Sequence, residues 1–246
     1  MAKQATKRSK SAGRGRQKTD RRFRPVRWLR KWVLRLGLVV VGLIVGLVLL
    51  YSVLNPRTGI YMTGERLRLG EIDHSWIDLE EIAPVMARSV VAAEDANFCE
   101  HWGFDIGAIR AAWDAGGNRG ASTLTQQVVK NVFLWHGRSW LRKALEALMT
   151  PLVETLWSKR RIVEVYLNMA EFDEGVFGID AAAHHYFGKT PSELNPTEAA
   201  RLAAVLPSPK VRSASQPGPI VRKRSAAILD GAATIRNDGR AACFED

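Results

Sequence analysis

The chain has 246 residues, of which 46% are hydrophobic, so it is long enough to bury a sizeable core and too apolar to be a disordered polypeptide. Its net charge of +11 is concentrated in residues 1–35, where fourteen lysines and arginines stand against one aspartate, and the rest of the chain is close to neutral at about −2. This distribution argues against a nucleic-acid-binding protein. Two cysteines, Cys99 and Cys243, exclude a framework of several disulfides and allow one at most; we expect Cys99 to be a buried free thiol.

An uncharged stretch follows the basic tail. Residues 36–54 are nineteen residues without a charge, which as a helix would extend roughly 28 Å and match the core of a bilayer. The stretch exceeds the hydrophobic part of a cleaved signal peptide, and no small-residue cleavage site follows it, so a transmembrane anchor is favoured over a signal peptide. Because lysine and arginine stay on the cytoplasmic side, residues 1–35 are predicted to be a cytoplasmic tail and residues from about 55 onward to lie outside the cytoplasm.

Residues 55–78 are predicted to connect the anchor to one globular domain at 79–236, and residues 237–246 to form a frayed, flexible tail. Apolar residues recur at helical spacing in most of this domain, so the fold class is predicted to be all-α. Thr123 and Gln126 fit a capping box, and Asn195 marks the start of another helix. The predicted helices cover 85–95, 106–115, 123–133, 139–157, 159–169, 179–187, 196–207 and 221–235, with glycine-containing loops at 116–120 and 173–178.

Glu94 is the first candidate for chemistry. It ends the apolar run 90–93, and a carboxylate that emerges from an apolar helix face loses solvation, which raises its pKa toward neutrality. Such a group suits a general acid or base. A carboxylate at a helix C-terminus is electrostatically unfavourable, which favours a functional role over a solvated surface role. Asp95 points about 100° away on the helix, so it is expected to orient a neighbouring loop instead.

A second carboxylate, Glu146, lies three and four residues after Lys143 and Arg142, so the three side chains share one helix face. Two interpretations stay open. The three residues form either an ordinary surface ion-pair set or, together with Lys130, a pyrophosphate site in which the cations neutralise phosphates and the acid positions a cation or an ion. The adjacent histidines at 184–185 lack the i,i+4 spacing of metal ligands, so no metal site is predicted from them.

Polar side chains are concentrated shortly before Lys130. Gln126 and Lys130 are one helical turn apart and are predicted to face the same groove, with Gln127 beside them. In the alternative interpretation, Ser122 and Thr123 only cap a helix and the glutamines form a solvated face. Ser122 is not predicted to be a nucleophile, because the residues around it lack the nucleophile-elbow pattern.

Five segments resemble, in the same order, the five motifs of the peptidoglycan glycosyltransferases. This lysozyme-like family includes the monofunctional biosynthetic transglycosylases and the N-terminal domains of bifunctional penicillin-binding proteins. The segments are Ser89–Asp95 with Phe98, Glu100, His101 and Gly103; Gly120–Asn131; Arg142–Glu146; Arg161–Asn168; and Glu198–Pro207. They cover roughly residues 80–210, and the departures, a short spacer at 118–119 and Phe172-Asp173 in place of Phe-Gly, lie in loops. Some 35 residues follow the fifth segment, too few for a transpeptidase domain, so the chain is most similar to the monofunctional members.

The resemblance implies a lysozyme-like glycosyltransferase domain on a single N-terminal transmembrane helix in the inner (cytoplasmic) membrane, with the catalytic domain periplasmic. The implied reaction is the polymerisation of lipid II into β-1,4-linked glycan strands with release of undecaprenyl diphosphate. Glu94 would be the catalytic base, and Glu146 a second carboxylate that orders the pyrophosphate site. The residues implied to bind substrate are Ser122, Thr123, Gln126, Gln127, Lys130, Asn131, Arg142 and Lys143.

The implied partners are lipid II, the growing glycan strand, membrane lipid, and other cell-wall synthases or division proteins, without nucleic acid. The resemblance implies no certain cofactor, and both the presence of a divalent cation, Mg²⁺ or Mn²⁺, at the pyrophosphate site and the need for it stay open. Two other functions are the alternatives. One is a glycan-cleaving muramidase or lytic transglycosylase, which also uses one Glu in a helical fold. The other is a membrane-tethered scaffold of the division machinery, against which the intact set of Glu94, Lys130 and Glu146 argues.

Overall fold

The computed structural model describes residues 25–116, 120–137 and 139–245, and most of these residues are helical. The predicted basic tail lies outside the described residues up to position 24, as do positions 117–119 of a predicted loop. The helices are α1 (Pro25–Tyr51), α2 (Ile60–Leu69), α3 (Pro84–Glu94), α4 (Ile106–Asp114), α5 (Leu124–Phe133), α6 (Trp140–Leu156), α7 (Lys159–Met169), α8 (Ile179–Phe187), α9 (Pro196–Val205), α10 (Pro219–Asn237) and α11 (Ala242–Glu245).

Helix α1 contains most of the predicted anchor. It begins at Pro25 rather than at residue 36, because the basic and aromatic residues before the apolar stretch are compatible with a helix and hydropathy marks the membrane core rather than the helix end. The segment Val26–Tyr51 is long and apolar enough to cross a membrane, and α1 is the one helix of this kind in the described part of the chain. These properties fit a single-pass membrane anchor.

The last turns of α1 belong to the globular unit, which comprises residues 44–246. Val48 is fully buried, and its carbonyl accepts a hydrogen bond from the indole N–H of Trp157 at 2.8 Å. Arg161 donates to the carbonyls of Tyr51 at 3.2 Å and Leu54 at 2.7 Å. The two bonds from Arg161 thus pair the carbonyl of the last residue of α1 and one just beyond it, where a helix end leaves carbonyls without intrahelical partners.

Side-chain caps start five helices in the described part of the globular unit. The capping box at Thr123 that opens α5 is confirmed, and Asn195 caps α9 in the same way. Asp105, Ser139 and Ser158 accept backbone hydrogen bonds at the starts of α4, α6 and α7. The predicted connection at 55–78 differs from expectation, because it contains α2, which packs against α5.

The predicted glycine-containing loop after α7 is wrong in part, because it contributes to a small sheet. The sheet consists of β1 (Asp73–His74), β2 (Glu171–Asp173) and β3 (Val176–Phe177) in the order β1-β3-β2, with β3 parallel to β1 and antiparallel to β2. Gly178 follows β3 with a φ of 83°, and a Cβ there would meet the Asn168 carbonyl oxygen at 2.9 Å, so glycine is required. Strands this short leave no alternating pattern in the sequence.

The C-terminal residues pack against the domain, so the prediction of a frayed tail is wrong. Phe244 on α11 is fully buried, and Arg88 forms an ion pair with Glu245 at 2.8 Å. Cys243 forms a disulfide with Cys99, so the prediction of a free Cys99 thiol is also wrong. The two cysteines are 144 residues apart, and no local pattern announces such a pairing.

Two groups of helices build the core. Helices α3, α9 and α10 pack against one another, and α5 packs against α6 and α7. Large side chains such as Tyr166 and Leu202 are fully buried, and each contributes about 1.5–3 kcal/mol to folding. A hydrogen bond from Gln127 on α5 to Glu94 at the end of α3 joins the two groups, and the candidate site lies at this junction.

Candidate active site

Glu94 is the last residue of α3, and two side chains from distant parts of the chain hold its carboxylate. The amide of Gln127 donates to Oε2 at 3.0 Å, and the guanidinium of Arg224 on α10 donates to Oε1 at 3.0 Å. Arg224 also donates to the carbonyl of Ala93 at 3.1 Å, which fixes the guanidinium against the end of α3. A hydrogen bond to each of its two oxygens therefore fixes the orientation of the Glu94 carboxylate.

Burial raises the pKa of the Glu94 carboxyl above its ordinary value, although the hydrogen bond from Gln127 and the positive charges of Arg224 and Lys130 oppose this change. The direction predicted from the apolar run before Glu94 is confirmed. Only 14% of the side chain is exposed. A largely buried carboxyl with a raised pKa, whose ionised form keeps two hydrogen bonds, suits a group that takes up and releases a proton.

Tyr166 fixes the orientation of the Gln127 amide. Its hydroxyl donates to Gln127 Oε1 at 3.3 Å, so the NH₂ group of the amide faces Glu94. Tyr166 is buried, and burial raises the pKa of its hydroxyl well above the ordinary value. The hydroxyl therefore stays protonated and continues to donate.

Asp95 is buried and points away from Glu94, as predicted. Its carboxylate accepts from the backbone N–H of Leu124 at 3.0 Å and from the His101 ring at 2.7 Å. A carboxylate at the start of a helix also interacts favourably with the helix dipole. Asp95 thus orients the loop after α3 and the first turn of α5, and it confirms the expectation that this residue orients a neighbouring segment.

The second carboxylate, Glu146, is buried on α6 with two cations around it. Arg142 Nη1 donates to Oε2 at 2.6 Å, and Lys143 Nζ donates to Oε1. Lys143 also reaches Ser122 Oγ at 3.2 Å, which links α6 to the segment before α5. Only 3% of the Glu146 side chain is exposed, so the interpretation as an ordinary surface ion-pair set is wrong.

Lys130 lies on α5 between the two carboxylates, and the charges of Glu146 and Glu94 both act on it. Burial lowers the pKa of its ammonium group, and the nearby Arg142 adds to this effect. The ammonium group of Lys130 makes no hydrogen bond or ion pair with any residue that the structure describes. Its ammonium group is therefore available to an anion in the site.

Two grooves adjoin this set of residues. The large groove has a volume of about 470 Å³ and the small groove about 290 Å³. Glu94 lines the small groove, and its hydrogen-bond partner Gln127 lines the large one. The large groove is also lined by Lys130, Asn131, Tyr166 and Lys210, and the small groove by Asp95, Asn97, Ser122 and Thr123.

The residues predicted to bind substrate differ in their surroundings. Ser122 is exposed, and Asn131 lines the large groove with its Oδ1 at 3.2 Å from the ring of His136. Thr123 and Gln126 are buried, and their side chains close the capping box of α5. The two capping side chains are therefore engaged in starting the helix.

One wall of the large groove carries polar residues that the sequence did not mark as binding residues. Tyr61 on α2 stacks on His136 with ring centroids 3.4 Å apart, and its hydroxyl donates to Glu171 at 2.5 Å. Burial lowers the pKa of His136 to about 4, so this ring is neutral at pH 7. Lys210 lies 3.5 Å from Glu171. Tyr61, His136 and Lys210 come from separate segments, and only packing brings them together.

Arg224 is the functional residue that sequence reasoning missed. It lies 130 residues after Glu94 on a helix with three consecutive basic residues, 222–224. Helical spacing indicates that only one of these three residues can point toward α3, but it does not show that a carboxylate of α3 lies within reach of that residue. The contact depends on the packing of α10 against α3.

The residues present do not fit a divalent cation. Both oxygens of Glu146 already accept from Arg142 and Lys143, and Glu94 is held by a guanidinium. No group of three His, Cys, Asp or Glu side chains suited to a metal ion occurs in the described ranges. Mg²⁺ and Mn²⁺ need several oxygen ligands without competing cations, so the suggested metal at the pyrophosphate site has no built ligand set here.

The chain thus combines a helical domain, an apolar N-terminal helix that fits a membrane anchor, and a buried carboxylate near a cluster of cations, a combination expected of an enzyme site. Residues 63–233 match the family model described as Transglycosylase, so the chain belongs to the transglycosylase family. It is 52% identical over 245 residues to a biosynthetic peptidoglycan transglycosylase of Jannaschia sp. (strain CCS1), with 99% of both chains covered.

Other relatives carry the same name. The Xanthomonas campestris pv. campestris (strain B100) protein is 47% identical over 234 residues, which cover 89% of this chain and 95% of the relative. The Caulobacter vibrioides protein is 43% identical over 221 residues, which cover 88% and 96%. The family resemblance predicted from the five motifs is confirmed.

Proposed function

We propose that this protein polymerises lipid II into β-1,4-linked glycan strands and releases undecaprenyl diphosphate, as a membrane-anchored peptidoglycan glycosyltransferase. The proposal depends on one observation: a buried carboxylate, Glu94, with a raised pKa lines one groove, its partner Gln127 lines a second, and Lys130 links it electrostatically to the cations around Glu146. The names of the relatives, biosynthetic peptidoglycan transglycosylases, support the same reaction.

In this proposal Glu94 is the general base. It takes the proton of the 4-hydroxyl on the acceptor's N-acetylglucosamine while that oxygen attacks C1 of the donor's N-acetylmuramic acid. The bond between C1 and the pyrophosphate oxygen breaks, and the configuration at C1 inverts from α to β. One base suffices for such a single displacement. Arg224 and Gln127 hold the carboxylate, and the charge of Arg224 favours its ionised form.

The leaving group is a pyrophosphate, which needs neutralisation of its charge more than it needs a proton. Lys130 supplies an ammonium group that is buried and has no partner among the described residues, so a phosphate would provide its counter-charge. Lys143 has 43% of its side chain exposed and reaches Ser122, which makes it a second phosphate ligand. Arg142 and Glu146 order the cluster around these two lysines.

The remaining polar residues divide into two roles. Ser122, Gln127 and Asn131 line the grooves and bind sugar or phosphate oxygens of the substrates. Thr123 and Gln126 act through the start of α5, because their side chains are engaged in the capping box. Glu94 lines the small groove and its partner Gln127 the large one, and each groove accommodates one of the two reacting glycans.

The membrane anchor gives the reaction its location. The basic tail before α1 directs the N-terminus to the cytoplasm and the globular unit to the periplasmic side of the inner membrane. Trp113 on α4 and Trp140 on α6 are 83% and 91% exposed, and exposed tryptophans are typical of membrane interfaces. Both substrates carry polyprenyl chains, so confinement to one bilayer raises their effective concentration. An association with other cell-wall synthases or division proteins stays a prediction.

The test is polymerisation of purified lipid II by the full-length protein in detergent or vesicles. Glu94→Gln is expected to lower kcat by about a thousandfold, because the amide cannot accept the proton. Glu71→Gln, which removes an exposed carboxylate away from the site, is the matched control and should keep the wild-type rate. Circular dichroism should be the same for all three proteins. A Glu94→Gln variant that forms strands at the wild-type rate would contradict the role of Glu94 as the general base. If the protein instead shortened the glycan strands of sacculi and left lipid II unreacted, it would be a cleaving enzyme.

A further inference from the structure

The last residues of the described chain fold back onto the loop that follows Glu94. We name residues 238–245, which contain α11, the C-terminal clasp, and residues 95–105 the Glu94 loop. The match to the family model ends at residue 233, before the clasp begins. The glycosyl transfer described above assigns no role to the clasp.

A covalent bond and an aromatic contact join the clasp to the Glu94 loop. Cys243 in the clasp forms the disulfide with Cys99 in the loop. The rings of Phe244 and Phe98, next to these cysteines, have centroids 6.4 Å apart, and both side chains are fully buried. The two segments therefore share a small apolar core closed by the disulfide.

Arg240 adds polar contacts to the same loop. Its Nη1 donates to the carbonyl of Ala96 at 3.0 Å and to Asn97 Oδ1 at 3.4 Å. Asp238, also in the clasp, accepts from Arg240 Nε at 2.9 Å and Nη2 at 2.8 Å and so holds the guanidinium in place. Contacts from the clasp thus reach every residue from Ala96 to Cys99.

The Glu94 loop in turn sets the start of α5. Asp95, its first residue, accepts the backbone N–H of Leu124, and the carbonyl of Gly103 accepts the hydroxyl of Thr123 at 2.8 Å. Helix α5 carries Gln127, which donates to Glu94. A movement of the loop would therefore change the distance between α5 and the carboxylate.

We propose that the C-terminal clasp is a positioning element for glycosyl transfer, in which Cys243, Phe244 and Arg240 hold the Glu94 loop and thereby keep α5 at its distance from Glu94. The proposal rests on the proposed role of Glu94 as the base. In the part of the chain that the structure describes, no hydrogen bond, ion pair or ring contact joins the clasp to Glu94 or to the cations Lys130, Arg142 and Lys143. The oxidising environment outside the cytoplasm allows the disulfide to persist.

A positioning role and a merely structural role predict different kinetics. Loss of positioning lowers kcat of fully folded protein and leaves KM almost unchanged, because the reacting groups are misaligned while the substrate contacts stay in place. A merely structural role lowers the unfolding temperature, and the activity then follows the fraction of folded molecules.

The first experiment uses Arg240→Ala, which keeps the disulfide. Steady-state polymerisation of lipid II by the full-length protein is measured well below the unfolding temperature. We expect kcat to fall about three- to tenfold with KM within about twofold of wild type, since small misplacements of reacting groups are costly. Arg240→Lys should restore part of kcat, because an ammonium group can still donate to Ala96. Arg236→Ala, an exposed arginine on α10, is the matched control and should leave kcat unchanged.

The second experiment addresses the disulfide. Reduction of the wild type with dithiothreitol breaks the bond without any substitution, and kcat should fall about tenfold and recover on reoxidation. The double variant Cys99→Ser/Cys243→Ser should show the lowered kcat from the start and no response to the reductant. If the double variant does not fold, the reduced wild type and Arg240→Ala still provide the test.

Unchanged kcat in both Arg240→Ala and the reduced wild type would overturn the proposal, as would a loss of activity that only follows the folded fraction. Failure of the proposed base is distinguishable from this result. An active Glu94→Gln variant would contradict the role of Glu94 as the base, whatever the clasp variants show. An inactive Glu94→Gln variant, together with a kcat that does not respond to changes in the clasp, would contradict only the positioning role of the clasp.

Discussion

The ion pair between Arg224 and Glu94 should control the pH at which the enzyme becomes active. Arg224→Gln removes the positive charge 3.0 Å from Glu94 Oε1 and keeps a side chain that can donate a hydrogen bond. The guanidinium lowers the pKa of Glu94 against the larger, opposite effect of burial. Its removal should therefore raise the pKa of Glu94 further, and a base with a higher pKa is protonated, and inactive, over a wider range of pH.

The size of this effect follows from the geometry of the pair. Two unit charges about 4 Å apart interact by about 4 kcal/mol at the dielectric typical of sites near a protein surface. The Arg224 side chain is 34% exposed, so water screens most of this energy, and about 1 kcal/mol is the appropriate magnitude. An energy of about 1 kcal/mol corresponds to a displacement of roughly 0.7 pH unit in the ionisation of Glu94.

The assay is the pH dependence of kcat/KM for lipid II polymerisation, whose acidic limb reports the essential base of the free enzyme. We expect the limb of Arg224→Gln to lie at higher pH than that of the wild type by roughly 0.7 unit, about a fivefold loss of rate on the limb. The rate should recover on the alkaline plateau. Lys223→Gln removes a neighbouring exposed charge and should leave the profile unchanged. A loss of rate that is the same at every pH would refute the reasoning, because it would mean that Arg224 does not act through the ionisation of Glu94.

Three further predictions concern stability. Glu146→Gln should lower the free energy of unfolding by about 2–3 kcal/mol in denaturant titrations, because two cations lose their buried counter-charge and one of them is partly solvated. Gly59→Ala, just before α2, should cost about 2–3 kcal/mol, since its Cβ would lie 2.2 Å from the Asn131 carbonyl oxygen. Gly64→Ala, within α2, has open space around its Cβ and should stabilise by up to about 1 kcal/mol. The raised pKa of Glu94 means that proton uptake stabilises the fold fully below about pH 4.5 and that this stabilisation is lost as the pH rises through the folded-state pKa. Glu94→Gln cannot ionise, so its thermal unfolding temperature should equal or exceed that of the wild type at pH 8, with a difference that shrinks toward pH 4.

Each of these predictions has an outcome that would contradict it. A Glu146→Gln variant as stable as the wild type would mean that its two cations find other partners at no cost. Equal stabilities of Gly59→Ala and Gly64→Ala would show that the backbone around α2 yields to the added methyl group. A Glu94→Gln variant that unfolds at a lower temperature than the wild type at pH 8 would show that the ionised carboxylate stabilises the fold.

Sequence patterns predicted the elements that depend on neighbouring residues. The capping box at Thr123 is complete within four residues, and helix α7 has the predicted bounds because its apolar positions recur at helical spacing. The raised pKa of Glu94 also has a local origin in part, since the apolar residues just before it limit its solvation. The strands of the small sheet escaped prediction because two or three residues carry no detectable alternation.

The residues around Glu146 were correctly placed on one helix face from the sequence, but the fold was needed to decide whether that face is exposed or buried. Arg142, Lys143 and Glu146 were recognised as neighbours on one helix face, but a surface ion pair and a binding cluster have the same spacing. Burial of Glu146 excludes an exposed ion-pair set, and the reach of Lys143 to Ser122 on another segment supports the proposal of a binding cluster. Neither property is encoded in the spacing, because both depend on which segment lies against α6.

By itself, the sequence determined the helical character of the domain, the apolar anchor and the family to which the chain belongs, since these depend on local periodicity, hydropathy and short motifs. Only the tertiary structure decided that Arg224 meets Glu94 and that Cys243 meets Cys99. Contacts between residues more than a hundred positions apart depend on how whole helices pack, and the free energy of that packing is distributed over many side chains that carry no mark of their eventual partners.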